Sequence, residues 1–542
     1  MVRRALGAAS LVALLALPCV AAPLPEADAR RALEALLPLA EPAARAAALV
    51  RVMQADDKRF IAPLVDAMRF VRGHDELRQA AATLDRLAGP GVPALDWEEM
   101  VILVGRNPQW GAPPGYLGWK GRLHAPIDPR FSELLREGAK TTVRVEEVQW
   151  GGVRVDGIPA LVNPRVTAAK DAAWLKDADA VFGVFLGGEA RAYPLRILDW
   201  HEMANDVVGG VPVALAYCTL CGSGVLFDAR AGDRRFEFGS SGFLFRSNKL
   251  MYDRQTRSLW NHLTGEPVIG ELAGSGVRLK RLPVVITSWG EWRRQHPRTT
   301  VVSVETGHQR PYHAGAAYGR YFASTGTMFP VWQKSGALHD KARVFTLVLE
   351  GRAKAYALEA LNDAGGVLND ELAGRAIVVH FRDGVGRVPL PARWGTAYAN
   401  DLTIEAARAA IRGQGGLLRE LTVEMLLAMP TATRLTLLEE FTLDDRSGPL
   451  TPELTIDAEL RNGVASRGLI GETRAYQRGA YRFTGQTRDA LLDERGRPWR
   501  ITEEALLGPG GERLASLPGE LAYWFGWFAF FPQTEVYGAD PR

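Results

Sequence analysis

Hydrophobic and polar positions change period once along this chain, and the change divides it. Over residues 26–90 apolar residues recur at three- and four-residue steps, as in A-R-R-A-L-E-A-L-L-P-L-A and F-I-A-P-L-V-D-A-M-R-F-V-R. That period is helical, and it predicts several antiparallel helices. G-P-G-V-P at 89–93 interrupts it, a further helix is expected near 96–104, and N-P-Q-W-G-A-P-P-G-Y-L-G-W-K-G reads as a connector. From about residue 145 the pattern becomes that of short strands and turns. A-V-F-G-V-F-L-G-G-E-A-R-A-Y-P-L predicts a hairpin turning at Gly187-Gly188. The apolar run Val211 to Tyr217 predicts a buried strand, and G-S-G-V-L-F-D another. R-R-F-E-F-G, K-L-M-Y-D-R and S-L-W-N-H-L read as further strands, T-S-W-G-E-W-R-R-Q-H-P as a helix, and T-T-V-V-S as a closing strand.

The strand texture repeats. L-G-G-E-A-R-A-Y-P-L around Tyr193 recurs as L-E-G-R-A-K-A-Y-A-L around Tyr356, and N-D-V-V-G-G at Asn205 as N-D-E-L-A-G at Asn369. D-R-Q-T-R-S-L-W from Asp253 is echoed by D-E-R-G-R-P-W from Asp493. W-G-E-W-R-R-Q-H-P from Trp289 is echoed by W-F-G-W-F-A-F-F-P from Trp524. The spacing between echoes grows within the second repeat, which places an insert, partly helical, at about 395–465. The expected fold is α+β: a helical region over 23–110, then two tandem pseudo-repeated β-rich lobes with short helices, at 145–310 and 320–542.

Length supports several domains, since 542 residues exceed one ordinary core. A net charge of +3, with Lys and Arg spread along the chain, leaves no nucleic-acid footprint. Met1-Val-Arg-Arg, the apolar run Leu6 to Leu17 and V-A-A near 20–22 form a signal-peptide pattern, so residues 1–22 are expected to be removed on export to the periplasm or beyond. Cys19 follows Pro18, which fits a lipoprotein site poorly and favours plain cleavage. No later stretch reaches the roughly 18–20 apolar residues of a membrane span.

Export makes the remaining cysteines informative. Of three in the chain, Cys218 and Cys221 alone follow the signal, spaced C-x-x-C where a buried strand ends, with Gly222 and Gly224 behind them. Two sulfurs on one turn can bridge or clamp a metal ion. A disulfide closing so small a loop would remove little chain entropy, which tilts the reading towards function. His201, Glu202, Asn205 and Asp206 lie just upstream on what reads as a short helical segment. His201 is a candidate third ligand or base; Met251 and His262, on the strands that follow, are further candidate ligands. Soft sulfur with imidazole suits copper first, with zinc or iron as alternatives, and a reversible, redox-active disulfide between Cys218 and Cys221 is the other functional reading. A structural disulfide remains the competing reading, in a non-enzymatic envelope protein whose helices dock an unknown protein partner.

The remaining signals are weaker. H-E-x-x-N lacks the second His of the zinc-hydrolase motif. Asp253 and Arg254 read as an internal ion pair. Ser240-Ser241-Gly242 with Arg246-Ser247 reads equally as an anion cradle or a tight turn. His308 and His313 sit on a polar loop. The scaffold residues recur at the repeat spacing, whereas the His and Cys residues do not.

With these stretches read, the chain resembles a bacterial family known as domain of unknown function 3179. A-R-A-Y-P-L-R-I-L-D-W-H-E, Y-C-T-L-C-G-S-G, S-S-G-F-L-F-R-S, M-Y-D-R-Q-T-R-S-L-W and W-F-G-W-F-A-F-F-P-Q-T-E-V-Y carry the likeness. It covers about residues 150–395 and 480–542. Thr219-Leu220 stands where such proteins usually place a proline between the cysteines. The resemblance implies no reaction.

Overall fold

The computed structural model describes residues 22–177, 179–313, 315–323, 326–383, 403–413 and 471–539, with isolated positions 425, 429, 433 and 437. The expected signal peptide, save its last residue, lies outside the described residues, as does most of the expected insert. Within that insert a helix spans Ile404–Gly413. Contacts divide the chain into two units, Met1–Leu123 and His124–Arg542. No helix among the described residues is long and apolar enough to cross a membrane.

The first unit is helical. Its helices Glu26–Ala35, Pro42–Gln54, Ile61–Met68, His74–Ala88 and Trp97–Arg106 follow the three-to-four-residue apolar period. Asp96 caps the last of these by accepting the amides of Glu98 and Glu99. Helix then extends past the expected limit of 110, because Y-L-G-W-K-G, the end of the expected connector, forms a helix with R-L-H at Tyr116–His124. Tyr116, Trp119, Lys120 and Leu123 fall on its buried side. Lys120 is buried without becoming an orphan charge: it pairs with Asp66 at 3.0 Å, and the Tyr116 hydroxyl donates to the same carboxylate at 2.5 Å.

The second unit carries the repeats, and they correspond in the order and pairing of their elements. In the first, hairpin Ala180–Leu186/Glu189–Pro194 leads through helix Leu195–His201 to the meander Met203–Val208, Val211–Cys218 and Ser223–Asp228. In the second, Arg343–Leu349/Arg352–Ala357 leads through Leu358–Asp363 to Val367–Leu372, Arg375–Asp383 and Gly471–Gln477. Gly187 and Gly188 take φ of 53° and 81°, as a two-residue hairpin turn requires. Each repeat ends in a strand–helix–strand arm: Val285–Ser288, Trp289–Gln295 and Thr300–Val302, then Glu520–Tyr523, Trp524–Phe528 and Glu535–Tyr537. The last strand of each arm pairs in parallel with the second hairpin strand of its own repeat.

The same side-chain bonds brace both repeats. Tyr193 donates to Asp206 at 2.7 Å, and Tyr356 to Asp370 at 2.9 Å. Asn205 bonds both the amide and the carbonyl of Phe238, as Asn369 does those of Phe483. The Trp260 indole donates to Asp253 at 2.8 Å, and the Trp499 indole to Asp493 at 3.1 Å. Asp253 is thus an acceptor for Trp260 and Thr256 rather than the partner of Arg254, which pairs with Asp156 and Glu237.

Each arm, paired to its own hairpin, also packs against the other repeat. Glu520–Tyr523 of the second repeat lies against Ser223–Asp228 of the first, and Val285–Ser288 of the first against Gly471–Gln477 of the second. One hydrophobic core consequently draws on both repeats, with Tyr193, Leu215 and Leu226 packed among Phe345, Tyr356, Ile377 and Leu521. The expected lobes at 145–310 and 320–542 therefore share one compact unit.

Candidate functional site

The cysteine turn is made where two strands part. Val211–Cys218 and Ser223–Asp228 run antiparallel with Cys218 opposite Ser223. The Cys221 amide bonds the Cys218 carbonyl at 3.2 Å, and Gly222 closes the turn with φ +58°. A side chain at Gly222 would meet both that left-handed backbone and the Tyr523 ring, 3.0 Å from its ideal Cβ position. Gly224 is needed for close approach, since a Cβ there would lie 2.2 Å from Phe182.

Cys218 and Cys221 are free thiols, 4% and 0% exposed. The Cys221 thiol donates to the Ser247 carbonyl at 3.2 Å. Burial raises its pKa well above the ordinary range, and its hydrogen bond with Cys218 raises it further. Cys221 is therefore held as the thiol.

The second repeat's arm closes over this turn. The Tyr523 amide bonds the Cys221 carbonyl at 2.7 Å, and the Asn248 side chain bonds the Gly526 carbonyl at 2.7 Å. A side chain at Gly526 would crowd Cys221, since an ideal Cβ would stand 3.0 Å from that of the cysteine. The Tyr321 hydroxyl donates to the Leu220 carbonyl at 2.6 Å, at the tip of the turn. Lys341 lies 3.8 Å over the Tyr321 ring and 5.6 Å from the Tyr523 ring. Burial, and then Arg343, lower its pKa to about 7.

Acidic groups enter from the first repeat. Helix Leu195–His201 ends at Glu202, whose φ of 53° turns the chain into strand Met203–Val208. Asn205 and Asp206 thus stand on a strand, not on the expected helical segment. Glu202 pairs with buried Lys249 at 3.1 Å. Asp199 is buried beside Tyr217, and burial, followed by the charge of Glu202, holds its carboxyl well above the usual range.

Of the expected ligands, the structure brings only the two cysteines together. His201 Nδ1 lies 2.7 Å from the Pro159 carbonyl, so it carries the proton, and Nε2 accepts from the Tyr312 hydroxyl at 2.6 Å. Burial lowers its pKa to about 4, with the Pro159 bond opposing and His308 and Arg310 adding. His262 is likewise spent: Nδ1 donates to the Lys249 carbonyl at 3.3 Å and Nε2 accepts from Ser223 at 2.9 Å. Burial, then Lys249, lower it to about 3. Neither imidazole presents a free lone pair in this arrangement. Met251 is a core residue, packed with Phe238 and Trp260. Among the described residues, no three His, Cys, Asp or Glu side chains are gathered so as to hold a metal ion.

The weaker candidates are also accounted for. Ser241 donates to the Leu250 carbonyl at 2.5 Å, Arg246 pairs with Glu147 at 2.5 Å, and Ser247 donates to the Pro330 carbonyl. This stretch is internally bonded rather than open to an anion. His308 is exposed, its ring 5.2 Å from that of His201. Lys249, Tyr321, Lys341 and Tyr523 went unnoticed in the sequence. The echo W-G-E-W/W-F-G-W marks the arm alone, setting Gly526 opposite Glu291, and nothing in the sequence singles out Lys249, Tyr321 or Lys341.

No curated protein and no solved structure matches the chain. The family described as "Protein of unknown function (DUF3179)" matches residues 155–534, which takes in the cysteine turn and both repeats up to the last strand of the second arm, and the chain belongs to that family.

Proposed function

We propose that Cys218 and Cys221 form a reversible dithiol–disulfide centre that exchanges with a disulfide-bearing partner. The observation that supports this reading is the pair of free thiols on one turn, enclosed by both repeats. Cys218, the less buried of the two, attacks as thiolate and displaces one thiol of the partner, forming a mixed disulfide. Cys221 then gives up its proton and attacks Cys218 Sγ, releasing the partner's second thiol. The two cysteine protons end on the two released thiols, and the partner is reduced by two electrons. Glu202, whose charge bears on Cys221, and Lys341, held near neutrality, are the groups suited to move the proton.

The test is equilibration of native protein in reduced and oxidised dithiothreitol, followed by a count of alkylated thiols. A single two-electron transition, absent in Cys218→Ser, is expected. Thiols that stay reduced throughout in the folded protein would remove the proposal.

A soft cation is the second reading, favoured by the same two adjacent sulfurs. Copper(I) accepts thiolate ligands alone, whereas structural zinc takes four ligands. Copper(I) binding at one equivalent per chain, lost in Cys221→Ser, would select it. An exported setting, suggested by the signal-peptide pattern, and a protein partner docked on the helical unit belong to either reading.

A further inference from the structure

Where the first repeat has its cysteine turn, the second has an ion-pair network and a cavity. The strand Arg375–Asp383 places Arg382 at the repeat position of Cys218, opposite Glu472. The first repeat's arm reaches it as the second's reaches the thiols. Glu291, the counterpart of Gly526, lies 3.3 Å from Arg382, and Gln295 bonds Glu472 at 2.8 Å. Beside this network opens a cavity of about 650 Å³. That volume falls within the roughly 300–1,000 Å³ of small-molecule sites.

The charges of the cavity do not cancel. Among the described residues, five guanidiniums and four carboxylates line it. Arg294 is neutralised by Glu291 and Asp489, at 2.5 and 2.6 Å. Arg382 pairs with Glu472, and Arg488 with Glu291 at 2.8 Å. Arg513 takes Glu504 at 3.0 Å. Glu503 is met by buried Arg474 behind the wall. Arg500, on strand Pro498–Ile501, is the remaining guanidinium, and no carboxylate among the described residues pairs with it. An apolar wall faces these charges, formed by Phe185, Ile501 and Leu507, with His296 stacked on Phe185 at 5.3 Å.

We propose that this cavity binds a small organic anion, its carboxylate or phosphate held by the Arg500 guanidinium and its apolar part laid against Phe185 and Leu507. A guanidinium fork matches both oxyanions, and a network already neutral within itself leaves Arg500 as the docking charge. The site is independent of the dithiol reading.

The experiment is calorimetric titration of the full chain at low salt with phenyl phosphate and with inorganic phosphate. Expected is one saturable site, with phenyl phosphate bound more tightly. Arg500→Gln should weaken it about tenfold or more, as loss of a charge-assisted hydrogen bond implies. Arg500→Lys keeps the charge but not the fork, and should lie between. Cys218→Ser should bind like the unaltered chain. No saturable heat, equal affinity for the two phosphates, or unchanged binding in a folded Arg500→Gln protein would overturn the proposal.

Discussion

Removing one member of the Glu202–Lys249 pair tests whether the ground beneath the thiols is an ionised pair in a dry place. Lys249 Nζ stands 3.1 Å from Glu202 Oε2 and 3.3 Å from the Glu202 carbonyl, and both residues are buried. At that separation the Coulomb attraction is roughly 5 kcal/mol for an effective dielectric near 20. Much of it offsets desolvation, so the pair adds little net stability, but either charge left alone is costly. Lys249→Met should therefore destabilise by about 3–5 kcal/mol, and Glu202→Gln by a similar amount. The double variant should cost no more than either single one, a coupling of at least about 3 kcal/mol. Urea unfolding followed by tryptophan fluorescence measures all four proteins. Single losses below about 1 kcal/mol that add within about 0.5 kcal/mol would refute the reasoning.

Further outcomes follow from the repeats and from burial. Asn205→Ala should cost more than Asn369→Ala, about 2–5 against about 1–2 kcal/mol, because both orphan a backbone amide and carbonyl but Asn205 is buried and Asn369 half-buried. Equal or reversed losses in urea would count against that comparison. His262 has a folded pKa near 3, below its ordinary value, so between about pH 6.5 and 3 the unfolded chain binds the proton and the folded one does not. Stability at this group is complete above that window and declines as pH falls through it. Relative to His262→Gln, the unaltered chain should lose about 2 kcal/mol between pH 7.5 and 5, read from urea midpoints at each pH. A difference that stays flat with pH would place a proton on His262 in the folded state.

Much of the fold was legible because it rests on local rules. The Gly187-Gly188 hairpin, the strand Val211–Cys218 and the helix Trp289–Gln295 follow from turn chemistry and apolar period. The repeat was legible too, since Tyr193/Tyr356, Asn205/Asn369 and Asp253/Asp493 are paired by identity as well as by bonding. The helix at Tyr116–His124 was hidden by its glycines, whose weak propensity is overridden by the burial of Tyr116, Trp119 and Leu123.

The candidate site divides in the same way. By itself the sequence determined that two cysteines share one glycine-closed turn, since that depends on neighbours a few residues apart. It also determined that the fold is duplicated, since duplication is written as spacing. Tertiary structure alone decided what meets the thiols. His201 and His262 lie close in sequence or topology, yet Pro159, Tyr312, Ser223 and Lys249 take up their ring nitrogens. Tyr523 and Gly526 lie some three hundred residues away, yet they cover Cys221. The packing of each arm against the other repeat is the physical reason: it buries one shared core, and no period or motif records which repeat an arm packs against.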